Sequence, residues 1–232
     1  MTDHAVVGHD DWVAARTALL AREKSFTRAR DELTRERQEL PWEAVEQEYV
    51  FAGPGGRESL ADLFDGRSQL IVYHFMFAPE DEAGCPHCSW WADNFDRNVV
   101  HLAAHDTTVV AISRAPVDKL EAYRKRMGWG FHWVSSGGND FNVDFGVAFL
   151  APEERESSTY NYGSQPPQLA DREGVSVFLR DGDAVFHTYS AYARGIDLLN
   201  SGYNFIDLTP VGRDEEGRSP KYWIRRCDEY GT

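Results

Sequence analysis

Cys85 and Cys88 lie three residues apart in "GCPHCSWWADNF", with Pro86 and His87 between them, directly before a run that reads as a helix. Two thiols at that spacing support dithiol chemistry, in which one sulfur attacks as a thiolate and the second displaces the mixed disulfide. A helix start suits the first, because the positive end of the dipole and the free backbone N–H groups favour an anionic sulfur. Cys85 is therefore the expected nucleophile and Cys88, one turn further in, the expected resolving thiol. His87 is placed to stabilise the Cys85 thiolate, whereas Glu80, Asp81 and Glu82, just upstream, would oppose it. The plainer alternative is that both cysteines are small buried hydrophobes. Cys227, between Arg226 and Asp228, is read as incidental, or as an intermolecular or second resolving thiol.

The same two cysteines open a metal reading. With His74, at the end of the apolar run before the motif, and His187, on a later β-like run, they would make a four-ligand set for zinc or another borderline metal. Against it stands the ordinary role of such histidines as hydrogen-bonded residues of a sheet. His101 and His105 have the i, i+4 spacing of helical ligands but no third partner. "DFNVD" imitates a calcium loop and fails: Phe145 stands where glycine is needed and Ala151 where the closing glutamate belongs. Trp90, Trp91, Trp129, Trp133, Tyr189 and Tyr192 flank the motif segments, and read either as core or as the wall of a pocket for a small molecule. No GxSxG, phosphate-binding glycine loop or dinucleotide fingerprint appears. Nothing beyond the dithiol is required as a cofactor.

The elements that must position these residues follow from pattern. Residues 10–40 carry seven acidic and seven basic side chains, with Trp12, Leu19, Phe26, Leu33 and Leu40 repeating every seven residues. That spacing predicts a helical arm over 1–44 with one narrow apolar stripe, broken near Ser25, lying on its own domain or pairing with a second copy. From Glu46 the pattern changes to short β runs alternating with helices, the mark of an α/β sheet. "EQEYVFAG", "QLIVYHFMF", "TTVVAIS" and "FHWVSS" read as strands, and "APVDKLEAYRKRMG" as a helix that Gly128 stops. Trp91, Phe95, Val99 and Leu102 give the helix after the cysteines its buried face. A long polar loop at 136–173 precedes the hairpin "VSVFLRDGDAVFHTYS" and a last helix, "YARGIDLLNSGYNFIDL". The main domain is thus 45–212, with 213–232 a polar tail.

The charge of −14, from 38 acidic against 24 basic residues, argues against nucleic acid and anionic membranes as partners. No run reaches the roughly 18 apolar residues of a membrane span, and the first residues lack a signal-peptide pattern, so a cytoplasmic location is expected. Three cysteines make no paired disulfide framework, which fits a reducing compartment.

Strand, helix with CxxC at its start, strand, helix, then hairpin and helix is the order of the thioredoxin fold: a mixed central sheet flanked by helices, here with the N-terminal arm. The segments "LPWEAVEQEYVFAGPGG", "YHFMFAP", "GCPHCSWWADNF", "MGWGFHWVSS", "DFNVDF" and "HTYSAYARGIDLL" with "YNFIDLTPVGRDE" also resemble, nearly end to end, a bacterial thioredoxin-like family of unknown function, distantly similar to thioredoxins and peroxiredoxins. The resemblance implies that fold and an ancestry among thioredoxins and peroxiredoxins, and supplies no activity. From the CxxC itself the expectation is a thiol-dependent oxidoreductase acting on a thiol, a disulfide, a peroxide or another small molecule, with a non-redox module that binds a small ligand or a metal on the same scaffold as the alternative. The CPHC dipeptide is that of strongly oxidising thioredoxin-like enzymes. In two places the chain departs from its distant relatives. Gly174 stands where thioredoxins place a cis-proline opposite the CxxC, and Glu82 stands three residues before Cys85, where peroxiredoxins place Thr or Ser. Arg172 would be the guanidinium such a peroxidase site needs. Pro86, His74, Trp90, Trp91, Arg172, Gly174, His187 and Tyr189 are the expected substrate-contacting residues.

Overall fold

The structure is a computed structural model that describes residues 4–218 and 221–231. The chain divides into two units, Met1–Pro41 and Trp42–Thr232. The first is a single helix, α1 (His9–Gln38), with Asp10 and Asp11 in its first turn and Arg35 and Arg37 in its last, each sign matched to the helix dipole. It is unbroken at Ser25, contrary to the sequence expectation. The Ser25 hydroxyl bonds back to the Ala21 carbonyl at 3.1 Å, as Thr27 and Thr34 do to Glu23 and Arg30, so these polar residues satisfy themselves within the helix. No residue of α1 is buried.

The second unit is built on an eight-stranded sheet in the order β1-β8-β7-β4-β5-β6-β2-β3. In chain order these are β1 (Glu43–Ala44), β2 (Val50–Gly53), β3 (Gly56–Ser59), β4 (Gln69–His74), β5 (Thr107–Ser113), β6 (His132–Ser135), β7 (Gly174–Asp181) and β8 (Ala184–Tyr192). β4, β5 and β6 run parallel, and β7 lies antiparallel to β4. The segment 43–44, which the sequence places in the arm, pairs instead with β8. This is the thioredoxin-like arrangement, with α2 (Pro86–Asp96) crossing from β4 toward β5 and α4 (Val117–Met127) from β5 to β6. Gly128 ends α4 in the left-handed conformation at φ 73°.

Alternation along β4 divides the core between two faces. Leu70, Val72 and His74 point to one face, among Phe51, Leu63, Phe64, Ile112, Phe141 and Phe178. Tyr73 and Phe75 point to the other, among Cys88, Trp91, Tyr123, Trp129 and Trp133. Residues 136–173 are no open loop. They hold α5 (Phe141–Asp144) and α6 (Pro152–Ser157), with Phe141 fully buried, so the calcium-like "DFNVD" is a turn of helix that plugs the core. Arg114, just past β5, grips Asp171 through two hydrogen bonds of 2.6 and 2.9 Å and ties this segment to the sheet. Two expected helices are interrupted. A short helix α3 (Val99–Ala103) follows α2 separately, and β8 runs on to Tyr192 before a 3-10 segment (Ala193–Leu199) and α7 (Ser201–Ile206). Asn200 starts α7 by accepting from the Gly202 and Tyr203 amides.

Candidate active site

Past β4 the chain stays extended along β5, with the Phe75 amide bonded to the Ile112 carbonyl at 3.0 Å and the Ala115 amide to that of Phe77 at 2.9 Å. Asp81 then closes a turn by accepting the Ala78 amide at 2.8 Å. Gly84 brings the chain back beneath two rings: a Cβ there would lie 2.6 Å from Tyr123 and 2.8 Å from Phe75, so no larger residue fits. The Cys85 amide bonds to the Met76 carbonyl at 3.2 Å, which pins the Cys85 backbone to the end of the strand rail. Cys85 is the N-cap of α2 and Pro86 opens the helix, where its missing N–H costs nothing.

The two thiols are driven apart in acidity. Cys85 is half-buried and Cys88 is 1% exposed. A hydrogen bond from the Cys88 thiol, joined by the backbone amides of His87 and Cys88, lowers Cys85 to about 7 against the opposing effect of burial. Burial pushes Cys88 well up, as does the neighbouring Cys85 sulfur. The Met76 amide donates to the Cys88 sulfur at 3.4 Å. The result is one sulfur poised as an anion and one held as a donor beside it. His87 acts through its backbone rather than its ring: burial, and then the Lys221 ammonium, lower the imidazole and favour its neutral form.

Sequence reasoning missed three groups here. Tyr73, on the same face of β4 as Phe75, hydrogen-bonds Cys88 from a fully enclosed position, and burial raises its phenol well above the usual value. Glu173, the residue before β7, is the carboxylate that faces the sulfurs, and its charge raises Cys85, Cys88 and Tyr73 alike. That part was expected of Glu80, Asp81 and Glu82, but Glu80 and Asp81 act instead on the Arg114–Asp171 pair. Third, Arg226 donates to the Gly84 carbonyl at 2.8 and 3.1 Å, although its segment reads as a polar tail. A local sequence pattern signals none of the three, because each arrives from a different element.

His74 and His187 do not join the cysteines, and the four-ligand metal set is not formed. Among the described residues no group of three or more Cys, His, Asp or Glu side chains is placed to hold a metal. The reason is the strand period: His74 lies on the face opposite Tyr73 and Cys88, stacked on Phe141 with ring centroids 5.7 Å apart. Its Nε2 lies 2.8 Å from Ser176 Oγ, which lies 2.8 Å from Ser190 Oγ, which lies 2.7 Å from His187 Nε2. Three such hydrogen bonds need three protons and the two hydroxyls supply only two, so one ring nitrogen must give the third. His74 Nδ1 is buried without a partner, which puts the His74 proton on Nε2 and directs the chain toward His187. His187 Nδ1 then presents its own proton to Glu43 Oε2 at 3.4 Å. Beyond His187 lies a cavity of about 420 Å³, lined by Glu43, Tyr49, Asp144, Phe145, Tyr162 and Tyr192.

The other expected contacts divide. Trp91 is core, its indole N–H bonded to the Ile196 carbonyl at 3.0 Å, and Trp90 packs edge-on against Tyr203 and Trp223. Trp129 and Trp133 are buried too, and Tyr192, the remaining aromatic of that set apart from Tyr189, lines the far cavity. Tyr189 packs on the cysteine face of the sheet. Arg172 lies over the Tyr160 ring, 4.3 Å from its centroid, with Nε 3.6 Å from Glu173. Gly174 opens β7 opposite His74, and a Cβ there would lie 2.5 Å from the Tyr192 ring; no cis peptide occurs among the described residues. Cys227 bonds to Asp93, which is five residues beyond Cys88 on α2 and so roughly 7 Å further along the axis. Burial raises its thiol.

The fold and the site can be set beside known proteins. Among solved structures the chain is similar to a peroxidoxin, BcpB, from Mycobacterium tuberculosis, with 15% identity, a TM-score of 0.48, and coverage of 72% of this chain and 97% of that one. A PrxQ variant from Xylella fastidiosa gives 11% identity and a TM-score of 0.46, covering 71% of this chain and 95% of that one. A hypothetical protein from Sinorhizobium meliloti 1021 gives 13% and 0.42, covering 78% and 91%. No curated protein matches the chain. The model of a family described as "Bacterial protein of unknown function (DUF899)" matches residues 1–230, and the chain belongs to that family.

Proposed function

We propose that the protein is a thiol-disulfide oxidoreductase that works through Cys85 and Cys88. The observation that carries this reading is the placement of two hydrogen-bonded sulfurs at a helix start, Cys85 half-buried at the N-cap of α2 and Cys88 1% exposed behind it, which lowers the first thiol and pushes the second up. In the reductive direction the Cys85 thiolate attacks one sulfur of a substrate disulfide. The S–S bond breaks, the leaving half departs as a thiolate, and a mixed disulfide forms on Cys85. Cys88 then loses its proton and attacks the Cys85 sulfur, releasing the second half as a thiolate and closing the Cys85–Cys88 disulfide. An external dithiol returns the pair to the reduced state by the same exchange.

The test is turnover of a disulfide with dithiothreitol as donor. The native protein should turn over, Cys85→Ser should show none, and Cys88→Ser should stop at a trapped mixed disulfide visible by mass. Turnover that survives in Cys85→Ser would refute the assignment. Consumption of hydrogen peroxide in the same assay distinguishes a peroxidase, in which Cys85 would pass through a sulfenic acid.

A further inference from the structure

We infer that this dithiol serves low-molecular-mass disulfides and excludes protein disulfides, because residues 221–229 and Tyr160 occupy the backbone groups that a partner chain would need. The inference rests on the Cys85–Cys88 reading above and names its substrate class. A protein disulfide reaches a CxxC site as an extended chain, and such a chain is held by main-chain hydrogen bonds to free N–H and C=O groups beside the nucleophile.

Here four of those groups are taken. Arg226 fills the Gly84 carbonyl with two hydrogen bonds, and its Nε also reaches the Tyr123 hydroxyl at 3.0 Å. The Cys85 amide is held by Met76, and the Cys85 carbonyl accepts both the amide and the hydroxyl of Ser89, at 2.9 and 2.8 Å. On the opposite lip the Glu173 carbonyl accepts the Tyr160 hydroxyl at 2.5 Å. β7 has no free edge, since Gly174 pairs with His74 on one side and Tyr192 on the other.

The C-terminal segment is itself anchored. Arg126 holds Asp228 through two hydrogen bonds of 2.7 and 3.0 Å, Glu229 holds Arg226 at 2.7 Å, and Ile224 is 3% exposed. Trp223 packs edge-on against Trp90 with centroids 5.0 Å apart. The His87 ring bonds to the Lys221 carbonyl, so the strap touches the residues on both sides of the Cys85–Pro86 pair. A small disulfide needs only a line of approach to one sulfur and no backbone pairing, and it is the substrate class that such a mouth admits.

The experiment compares dithiodipyridine with insulin as oxidants of the fully reduced protein, followed by stopped-flow tryptophan fluorescence. The native protein should react with dithiodipyridine at least about 100-fold faster, relative to a free dithiol measured with the same pair of oxidants. Arg126→Ala/Arg226→Ala, which frees the strap and the Gly84 carbonyl, should raise the insulin rate by about tenfold and leave the dithiodipyridine rate within about threefold. A far-ultraviolet circular dichroism spectrum matching that of the native protein reports that the variant is folded. Tyr160→Phe frees the Glu173 carbonyl without touching the strap, and should give a smaller gain in the same direction. Equal selectivity in the native protein and the free dithiol overturns the inference, as does a double variant that gains nothing with insulin. Failure of the native protein to react with dithiodipyridine at Cys85 overturns the dithiol reading itself.

Discussion

At the scale of single residues, what matters is which groups touch the Cys85 sulfur. Its activation comes from Cys88 and from backbone amides, and the opposing charge comes from Glu173. Because the thiolate is the nucleophile, alkylation by iodoacetamide should rise with pH through about 7 and then level off, with Cys88 unlabelled until the protein is denatured. Glu173→Gln removes a negative charge that raises the thiol, so the curve should move to lower pH and the rate near pH 6 should rise about two- to threefold. A titration at the ordinary thiol value would remove the Cys88 hydrogen bond as the activating contact. The place of the cysteine pair at a helix start was legible in the sequence, since CxxC before a helical run is a local pattern. Glu173 was not, because it lies 88 residues from Cys85 in the chain and reaches it only through the pairing of β7 with β4.

At the scale of elements, the strand period decides what the histidines do. His74 and Tyr73 are neighbours in sequence, yet one belongs to a hydrogen-bonded run across β4, β7 and β8 that ends at His187 and the other to the cysteine site. Burial first, and then the charge of His187, lower His74 to about 3 from 6.5. Below about pH 6.5 the unfolded chain therefore binds a proton that the folded chain refuses, so stability falls as pH drops from 6.5 toward 3 and is unaffected above that window. His74→Phe should flatten this slope by close to one proton in urea titrations run across that range. Ser176→Ala, which leaves the His74 N–H without an acceptor, should cost about 1–3 kcal/mol at neutral pH. A variant that unfolds at the native urea midpoint would show the run to be energetically idle. The elements themselves were largely visible beforehand: β5 matches "TTVVAIS", and α4 ends at Gly128. The interruptions between α2 and α3, and between β8 and α7, were not, because their hydrogen-bond partners lie in distant segments, such as Asn94 accepting from Ser201 at 2.5 Å.

At the scale of the whole molecule, residues 10–40 carry seven acidic and seven basic side chains, so the charge of −14 resides in the remainder of the chain. Within the first unit nothing covers the apolar stripe of α1, with Trp12 57% and Phe26 70% exposed. Among the described residues no helix is long and apolar enough to cross a membrane. Pairing of the stripe with a second copy, as its heptad spacing suggests, predicts a dimer in sedimentation velocity that Phe26→Glu/Leu33→Glu converts to a monomer; a native monomer at micromolar concentration would remove that pairing. By itself the sequence determined the order of elements along a thioredoxin-like unit, the place of the CxxC at a helix start and the helical arm, because periodicity and turn chemistry act over a few residues. The tertiary structure alone decided that Glu173 and Tyr73 face the sulfurs, that His74 is sealed on the other face with His187 at the rim of a cavity, and that a polar tail becomes a strap over Gly84. Each of those depends on which distant backbone groups and charges are brought within a few ångströms, and spacing along a chain holds no record of that.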